Sequence, residues 1–492
     1  MLTRSLMLPS ALVGGIFGLT FIQLCGMNDN VSDVITHDWI WGWSELPGFL
    51  INIIFATLFM GSKIPSLKEA WRWAGPQLAY GQVLAWGNWA VACLITQIML
   101  IPAFGVNPLF SSMLPVGFEG GHGTAAGLKE SYILLGFPEG GDIAVTSATI
   151  GILLGVILGT VVCNIANHYG WTYAAWKKSI DNADVESNSV ESPTEEKNYS
   201  SEIAIGSKVG ILRPNSSDQI LETKIVRKAD IFSPETRKVG SFLTISNDSM
   251  DTLALHIAYI GLALLLAYGT KRILMLLEGT SAWLTEYGFF TGFPLFPLCM
   301  LWGLFIQVIC DRFYKFNPIE RGTMERIGGA ALDFLVLTAI ATTKIDAVAD
   351  SIVPLLILVV MGVAWQLSCF FLLGPLMLPD AWAERAICEL GKGFGTSAVG
   401  LMLLRIVDPN LETPAIKAFS CKQLLHEPFM GGGIWTSLAL PLIVSVGNWA
   451  VFGVSMGFIS FWLLMWWFVF RLEKVGPMVQ YKFNPEYNEF TA

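Results

Sequence analysis

The sequence predicts an all-α polytopic membrane protein that is built as an inverted-topology repeat with two re-entrant hairpins. Of its 492 residues, 53% are hydrophobic and 14% are charged, whereas soluble domains carry about 25% charged residues. Several apolar runs reach the length of about 18 residues that a helix needs to cross the hydrocarbon core of a bilayer. Segments of the first half recur in the second half at a constant distance along the chain, and each half contains a glycine-rich break.

Apolar segments follow one another along both halves, and a polar stretch rich in Ser, Glu and Lys separates them. Such a composition is typical of a solvated, flexible loop. The predicted organisation is a first membrane repeat (1–166), a cytoplasmic loop (167–250), a second membrane repeat (251–475) and a polar C-terminal tail (476–492). The predicted apolar segments are 8–24, 46–60, 76–101 and 143–165 in the first half, and 253–268, 289–309, 327–342, 352–376, 429–446 and 449–470 in the second. The last two could be two spans or one long kinked helix.

The repeat is visible as a constant shift in position. Two dipeptides recur 285 positions later: Gly18-Leu19 is matched by Gly303-Leu304, and Ala56-Thr57 is matched by Ala341-Thr342. A constant shift over successive segments that end in the same kind of break is typical of an internal repeat. The helix predicted at 253–268 has no counterpart in the first half, so the first repeat is expected to lack its first helix.

Two glycine-rich breaks interrupt the apolar pattern. The first is the run 120–127 within a broken region at 108–135, and the second is the run 393–400 within a broken region at 383–404. A break in a helix leaves backbone groups unpaired in a bilayer unless protein, water or a ligand pairs them. One such break in each half is therefore the best pointer in the sequence to a binding site of the secondary-transporter kind.

Charges in the short loops predict the orientation of the chain. The loop after the first helix carries acidic residues and no Lys or Arg, so we expect it outside. The next loop carries Lys63, Lys68 and Arg72 and is expected inside, although Lys271-Arg272 falls on the outer side and counts against the scheme. Counting onward, the first hairpin opens from outside, the second opens from inside, and the 167–250 loop is cytoplasmic. An inverted-topology repeat requires hairpins from opposite faces.

Four short sequences resemble the bacterial sodium/glutamate symporter family: Gly-Gly-His-Gly-Thr at 120–124, Gly-Phe-Gly-Thr at 393–396, Pro-Ser-Ala-Leu-Val-Gly-Gly at 9–15 and Phe-Ala-Thr at 55–57. The resemblance covers most of both membrane halves. It implies an elevator-type homodimer in the inner (plasma) membrane, in which a transport domain with both hairpins moves against a dimerisation scaffold. It also implies that sodium drives the uptake of glutamate. Glu119 and Lys392 depart from the family pattern.

A carrier of an acidic amino acid must replace the hydration of two carboxylates and one ammonium, because an unpaired buried charge costs several kcal/mol. The N-termini of half-helices suit carboxylates, and the segments 124–129 and 396–401 could supply them. Glycines allow close approach to the backbone, and hydroxyls can bind either end of the ligand. The candidate substrate-binding residues are Glu119, Gly121, His122, Gly123, Thr124, Lys392, Gly393, Gly395, Thr396 and Ser397.

Glu119 and Lys392 stand out because charges at membrane depth usually face a cavity or a partner. Glu119 could hold the substrate ammonium or a cation, and Lys392 could hold a carboxylate. Alternatively, the two could form a structural bridge where the hairpin tips meet, or Lys392 could snorkel from a shallow hairpin. His122 could carry protons, although a neutral ring bonded to a backbone carbonyl is the favoured interpretation.

Sodium, the expected coupling ion, needs several oxygen ligands. The carbonyls of the two breaks could supply them together with Thr146, Ser147 and Thr149 on the helix after the first hairpin. Thr146 and Thr149 are three positions apart and share a helix face. The competing interpretation is that these hydroxyls bond to their own helix. No cofactor is expected apart from Na⁺.

Other classes of function have less support. The alternative on the same fold is a symporter of another organic anion or amino acid, or one that is coupled to protons. An enzyme would need a motif such as HExxH, which the sequence does not contain, or GxSxG. The run 453–457 has the spacing of GxSxG, but it falls inside the apolar segment 449–470. A channel is disfavoured because the two breaks differ instead of forming a symmetric ring. The expected partners are glutamate or a related small anion, sodium and membrane lipid, and nothing indicates nucleic acid.

Overall fold

The computed structural model describes residues 10–26, 37–62, 67–173, 175, 242–244, 250–280, 285, 290–314, 316–409 and 412–471. All regular structure in this part of the chain is helical. Six of its helices are long and apolar enough to cross a membrane, which is the pattern of a multi-pass membrane protein. Most of the predicted loop at 167–250 and the whole predicted tail at 476–492 lie outside the described residues.

Three long helices precede the first break. They are α1 (Ser10–Gly26), α2 (His37–Thr57) and α3 (Leu67–Ile95), and α3 continues through a π-helical turn (Thr96–Leu100) and Ile101–Phe104. The break contains a 3-10 turn (Pro108–Ser112), a π-helical turn (Pro115–Glu119), α4 (Gly121–Gly127) and α5 (Lys129–Leu134), and α6 (Gly140–His168) follows it. These bounds match the predicted order, although α2 begins well before the apolar segment predicted at 46–60.

The second half contains one helix that the sequence did not predict. Its helices are α7 (Thr252–Glu278), α8 (Phe296–Phe313), α9 (Arg321–Ala341), α10 (Ile345–Ser368, continued by a π-helical turn Cys369–Leu373 and Gly374–Met377), α11 (Trp382–Phe394), α12 (Ser397–Val407), α13 (Ala415–His426), α14 (Ile434–Val446) and α15 (Asn448–Met465, continued by Trp466–Phe470). The unpredicted helix is α13. The sequence left open whether the last two apolar segments form two spans or one kinked helix. The structure has two helices, α14 and α15, which are separated at Gly447 with its φ of 95°.

Two buried apolar clusters organise the helices. The larger cluster joins α3, α6, α10 and α15 to both glycine-rich breaks. The smaller cluster surrounds α7 and α8, with contributions from α2 and α9. The breaks are therefore embedded in one body of helices, to which α1, α2, α9 and the start of α8 also contribute buried residues, and α7 lies beside it.

The end of α2 is held by side chains from the second half. Arg321 donates a hydrogen bond to the Leu58 carbonyl at 2.8 Å, and the amide of Gly61 donates to Gln307 Oε1 at 2.7 Å. Carbonyls at the end of a helix have no partner within the helix, and a cation there is favoured by the helix dipole. These contacts fix the position of α2 against α8 and α9.

Close helix crossings depend on small residues at matching positions of the two halves. A Cβ atom on Gly303 of α8 would lie 2.2 Å from the Ala56 carbonyl of α2, and one on Gly18 of α1 would lie 2.9 Å from Ala341 Cβ of α9. Small residues let helix backbones approach each other closely in membrane proteins. The four residues at these crossings belong to the recurring dipeptides, since Gly18 and Gly303 are 285 positions apart, as are Ala56 and Ala341.

Candidate functional site

The first break is a buried hairpin that turns at Gly121. The Asn107 side chain accepts from the Leu109 amide at 2.9 Å and donates to the Gly136 carbonyl at 3.2 Å, so the two ends of the segment lie side by side. Gly121 has a φ of 66°, a left-handed conformation that glycine adopts at little cost. This turn places Glu119 at the inner end of the hairpin, where it is buried.

The second break is a helix pair that reverses at Gly395-Thr396. A Cβ atom on Gly391 of α11 would lie 2.6 Å from Gly400 Cα, and one on Gly400 would lie 2.4 Å from the Cys388 carbonyl. Glycine is required at both positions because the two helices touch through their backbones. α11 is buried over almost its whole length although it carries several charged residues.

The two hairpins meet at their inner ends. Lys392 of α11 donates a hydrogen bond to the main-chain carbonyl of Glu119 at 2.7 Å. A Cβ atom on Gly121 would lie 2.8 Å from Thr396 Cγ2, so the two turns are also in contact. This arrangement corresponds to the bridge that was one of the interpretations open from the sequence. Its partner is the carbonyl of Glu119, however, and not the carboxylate.

A third segment, formed by the end of α13 and the loop 427–433, completes the site. His426 Nε2 lies 2.8 Å from Glu119 Oε1. Glu427 Oε1 lies 3.6 Å from Lys392 Nζ. The inner end of the first hairpin and the charged end of α11 are thus both covered by this segment, which sequence reasoning missed. We call these four side chains the contact cluster.

The ring of His426 is oriented by two neighbours. Gln82 Nε2 of α3 lies 3.3 Å from Nδ1 of the ring. If this amide donates to Nδ1, the proton of the neutral ring is on Nε2, which then donates to the Glu119 carboxylate.

A second buried ion pair lies next to the contact cluster. Lys422 of α13 donates to Glu389 Oε2 of α11 at 3.0 Å, and Gln77 of α3 donates to the other oxygen of Glu389 at 2.8 Å. The Lys422 side chain is 0% exposed and that of Glu389 is 2% exposed. A Cβ atom on Gly81 would lie 2.5 Å from Lys422 Cε and 2.9 Å from Glu389 Oε2, so only glycine leaves room for this pair.

One side of the contact cluster is partly open. Ser397 at the start of α12 donates to Glu427 Oε1 at 3.3 Å, and Gln423 donates to the same oxygen at 3.2 Å. Ser397 and Glu427 are half-buried, and Ala398 is exposed. A ligand that reaches the cluster from this side would meet the start of α12 and the Glu427 carboxylate first.

The predicted half-helix N-termini are only partly present. α12 begins at Ser397, in agreement with the segment proposed at 396–401. The segment at 124–129 does not begin a helix, because the left-handed Gly121 starts α4 and places Thr124 in its middle. The Thr124 hydroxyl instead donates to the Gly431 carbonyl at 3.2 Å.

The other glycines of the two breaks serve packing. A Cβ atom on Gly123 would lie 3.0 Å from Ile51 Cδ1 of α2, and one on Gly393 would lie 2.5 Å from Gln366 Oε1 of α10. A Cβ atom on Gly395 would lie 3.0 Å from Val399. Of the four glycines proposed for substrate binding, Gly121 and Gly395 lie at the contact between the hairpins, because a Cβ atom on Gly121 would lie 3.7 Å from the Gly395 carbonyl oxygen.

His122 lies beside α6. Its Nε2 is 2.9 Å from the Thr149 hydroxyl, and its buried Nδ1 has no hydrogen-bond partner in the described part of the chain. The expectation that the ring bonds to a backbone carbonyl is wrong, because the partner is a side-chain hydroxyl. The ring is nevertheless held on one side by a neutral group.

The candidate sodium ligands on α6 bond largely to their own helix. Thr146 donates to the Asp142 carbonyl at 2.9 Å, and Thr149 donates to the Val145 carbonyl at 3.0 Å. This is the competing interpretation that the sequence left open. The buried Ser147 hydroxyl has no partner among the described residues. Each hydroxyl oxygen keeps a lone pair, so ligation remains a prediction.

Comparisons with protein-family models, with curated proteins and with solved structures give no match. The function is therefore inferred from the site itself.

Proposed function

We propose that the protein is a secondary active transporter that couples the inward movement of sodium to the uptake of glutamate by alternating access. The observation that carries this proposal is the meeting of the two breaks at a buried ammonium, where Lys392 Nζ lies 2.7 Å from the Glu119 carbonyl. Irregular backbone is tolerated at membrane depth where protein or a cavity covers it. Transporters of the inverted-repeat kind bind their substrates between such broken segments.

Lys392 is the group proposed to receive a substrate carboxylate. It already lies 3.6 Å from a carboxylate of the protein, that of Glu427, which is 15% exposed. The Ser397 hydroxyl donates to the same carboxylate at the start of α12, where free backbone N–H groups favour an anion. We therefore propose that a carboxylate of glutamate replaces Glu427 on Lys392 and Ser397. The displaced Glu427 carboxylate would then be free to bind the ammonium.

The fold supports two parts that move against each other. The larger apolar cluster contains both hairpins and is proposed as the transport part. The smaller cluster around α7 and α8 is proposed as the scaffold. Only 28% of the apolar stretch with which α7 could cross the membrane is buried. The rest is a long surface for lipid or for the second subunit of a homodimer.

The inverted repeat is supported by paired features of the two halves. The Gly18 to Ala341 crossing has its counterpart in the Gly303 to Ala56 crossing. α3 and α10 also contain π-helical turns, and each turn is followed by a four-residue helix with Pro in its second position. An inverted repeat in the plasma membrane would let the two hairpins approach the site from opposite sides.

Uptake by purified protein in liposomes tests the proposal. With an inward sodium gradient, labelled glutamate is expected to accumulate above equilibrium, and with potassium in place of sodium it is not. The Thr124→Ala, Thr396→Ala double variant should lose this uptake, because Thr396 contacts Gly121 where the hairpins meet and the Thr124 hydroxyl ties the first hairpin to the Gly431 carbonyl. Thr160→Ala is the matched control, since the Thr160 hydroxyl donates to its own helix at 2.7 Å.

The ammonium of Lys392 also suits a second cargo on the same fold, another organic anion. Lys392 would receive the carboxylate of another organic anion as readily as that of glutamate, because the contact is a single charge-assisted hydrogen bond. A panel of unlabelled organic anions, competing against labelled glutamate, separates the two cargoes. Accumulation of a different anion with no uptake of glutamate would refute the cargo and leave the transporter proposal standing.

A further inference from the structure

The pair formed by Glu119 and His426 is the more deeply buried of the two side-chain pairs in the contact cluster. Their side chains are 5% and 0% exposed, and Glu119 Oε1 lies 2.8 Å from His426 Nε2. Gln82 is the neighbour at the other ring nitrogen, at 3.3 Å. The pair joins the first hairpin to α13, so a change in its charge would act where the hairpins touch.

Four further charged groups face this pair. Lys392 and Glu427 come from α11 and the loop after α13, and their charged ends are 3.6 Å apart. Lys422 and Glu389 come from α13 and α11, and they are 3.0 Å apart. Each ammonium therefore has its own carboxylate. Glu119 is the carboxylate left over, and the neutral His426 is its partner.

The charge balance of the cluster then depends on one proton. Two ammonium groups against three carboxylates leave one negative charge when His426 is neutral. One added proton, shared by Glu119 and His426, makes the whole cluster neutral. An unbalanced charge at this depth is costly, so the cluster should hold either a proton or a cation.

We propose that Glu119 and His426 form a proton-binding site at which a proton and a cation exclude each other. The proton is shared between the carboxylate and the ring, so it belongs to the pair and not to either residue. When Na⁺ binds next to the Glu119 carboxylate, the proton leaves to solvent through the open side at Ser397. The inference rests on the proposed transport function, because it takes a cation to bind within this cluster.

Proton release on adding Na⁺ tests the site on the purified full chain, without transport. In weakly buffered detergent solution with a pH-sensitive dye, NaCl should release about one proton per chain, while choline chloride releases none. Glu119→Gln should abolish the release and Glu119→Asp should retain it, because aspartate keeps a titratable carboxylate. Glu130→Gln is the matched control, since Glu130 is an exposed carboxylate on the same hairpin. Release that persists unchanged in Glu119→Gln would overturn the proposal.

A second measurement uses only the unmodified protein and so does not depend on whether a variant folds. The Kd for Na⁺ can be followed by tryptophan fluorescence. If one proton competes with one Na⁺, this Kd should rise about tenfold for each unit by which the pH falls below the value at which the Glu119–His426 pair takes up its proton. A Kd for Na⁺ that is independent of pH would overturn the proposal. Neither measurement uses glutamate, so a wrong cargo would show as failed uptake with the competition intact.

Discussion

Lys392 is a buried ammonium in the helix pair α11 and α12, and its partners explain how it is tolerated. It donates to the Glu119 carbonyl at 2.7 Å and lies 3.6 Å from the Glu427 carboxylate. Removing one partner of a buried ion pair leaves the other charge uncompensated, which costs about 3–5 kcal/mol. The site is thus stabilised by the same contacts that a substrate would have to replace.

Replacing the ammonium tests this double role. Lys392→Met should lower the free energy of unfolding by about 3 kcal/mol, because Glu427 loses its cation, and it should abolish glutamate uptake. Thermal unfolding in detergent and uptake in liposomes measure the two effects. Lys271→Met in α7, a helix of the smaller apolar cluster, is the control and should change neither. The Lys392→Met, Glu427→Gln double variant should recover most of the stability but no uptake. Recovered uptake would show that Lys392 does not bind the substrate.

Gly81 makes a second residue prediction. A methyl group there would push apart Lys422 and Glu389, whose charged ends lie within 3 Å of the added Cβ. Gly81→Ala is expected to lower the melting temperature, with a loss of about 1–3 kcal/mol. Gly261→Ala is the matched control, because nothing lies within 4 Å of that position in α7. Equal melting temperatures for the two variants would mean that the ion pair adjusts without cost.

At the level of side chains, the sequence indicated part of the site. Glu119 and Lys392 were recognisable because single charges in apolar, glycine-rich surroundings are rare. His426 and Glu427 were not, because they follow a polar stretch that reads as a loop. The signal that could have found them is the triple glycine 431–433, which comes directly after this charged segment.

At the level of helices, hydropathy and glycine spacing predicted most elements. The broken regions at 108–135 and 383–404 were found because glycine runs interrupt apolar segments. α13 was missed because Lys417, Lys422 and His426 interrupt its apolar residues, and only its burial against α3 and α11 explains why it is a helix. A helix that is stabilised by tertiary packing in this way need not show apolar residues at helical spacing in its sequence.

The paired crossings make a prediction at this scale. Gly303→Ala would bring a Cβ atom to 2.2 Å from the Ala56 carbonyl, and Gly18→Ala would bring one to 2.9 Å from Ala341 Cβ. Both variants should melt at lower temperature, with a cost of about 1–3 kcal/mol, and Gly303→Ala should be the worse because it meets backbone. Gly329→Ala in α9, with open space around it, should be neutral. Gly18→Ala as stable as Gly329→Ala would contradict the predicted crossing of α1 and α9.

At the level of the whole molecule, the arrangement places one charged contact cluster between two halves that resemble each other. The hairpins lie in the larger body of helices, and α7 lies beside it. A movement of one body against the other would expose the cluster to either side in turn. The proposed proton site, at which Na⁺ competes, belongs to this same cluster, so its occupancy would be coupled to the movement.

The most direct test of the coupling is the reverse experiment to uptake. In liposomes with equal sodium concentrations on both sides, an inward glutamate gradient should drive net entry of labelled sodium. The Thr124→Ala, Thr396→Ala variant should show no such entry. Coupling between two ligands is reciprocal, so a carrier that uses sodium to move glutamate must also use glutamate to move sodium. Glutamate that enters without any movement of sodium would contradict the proposed mechanism.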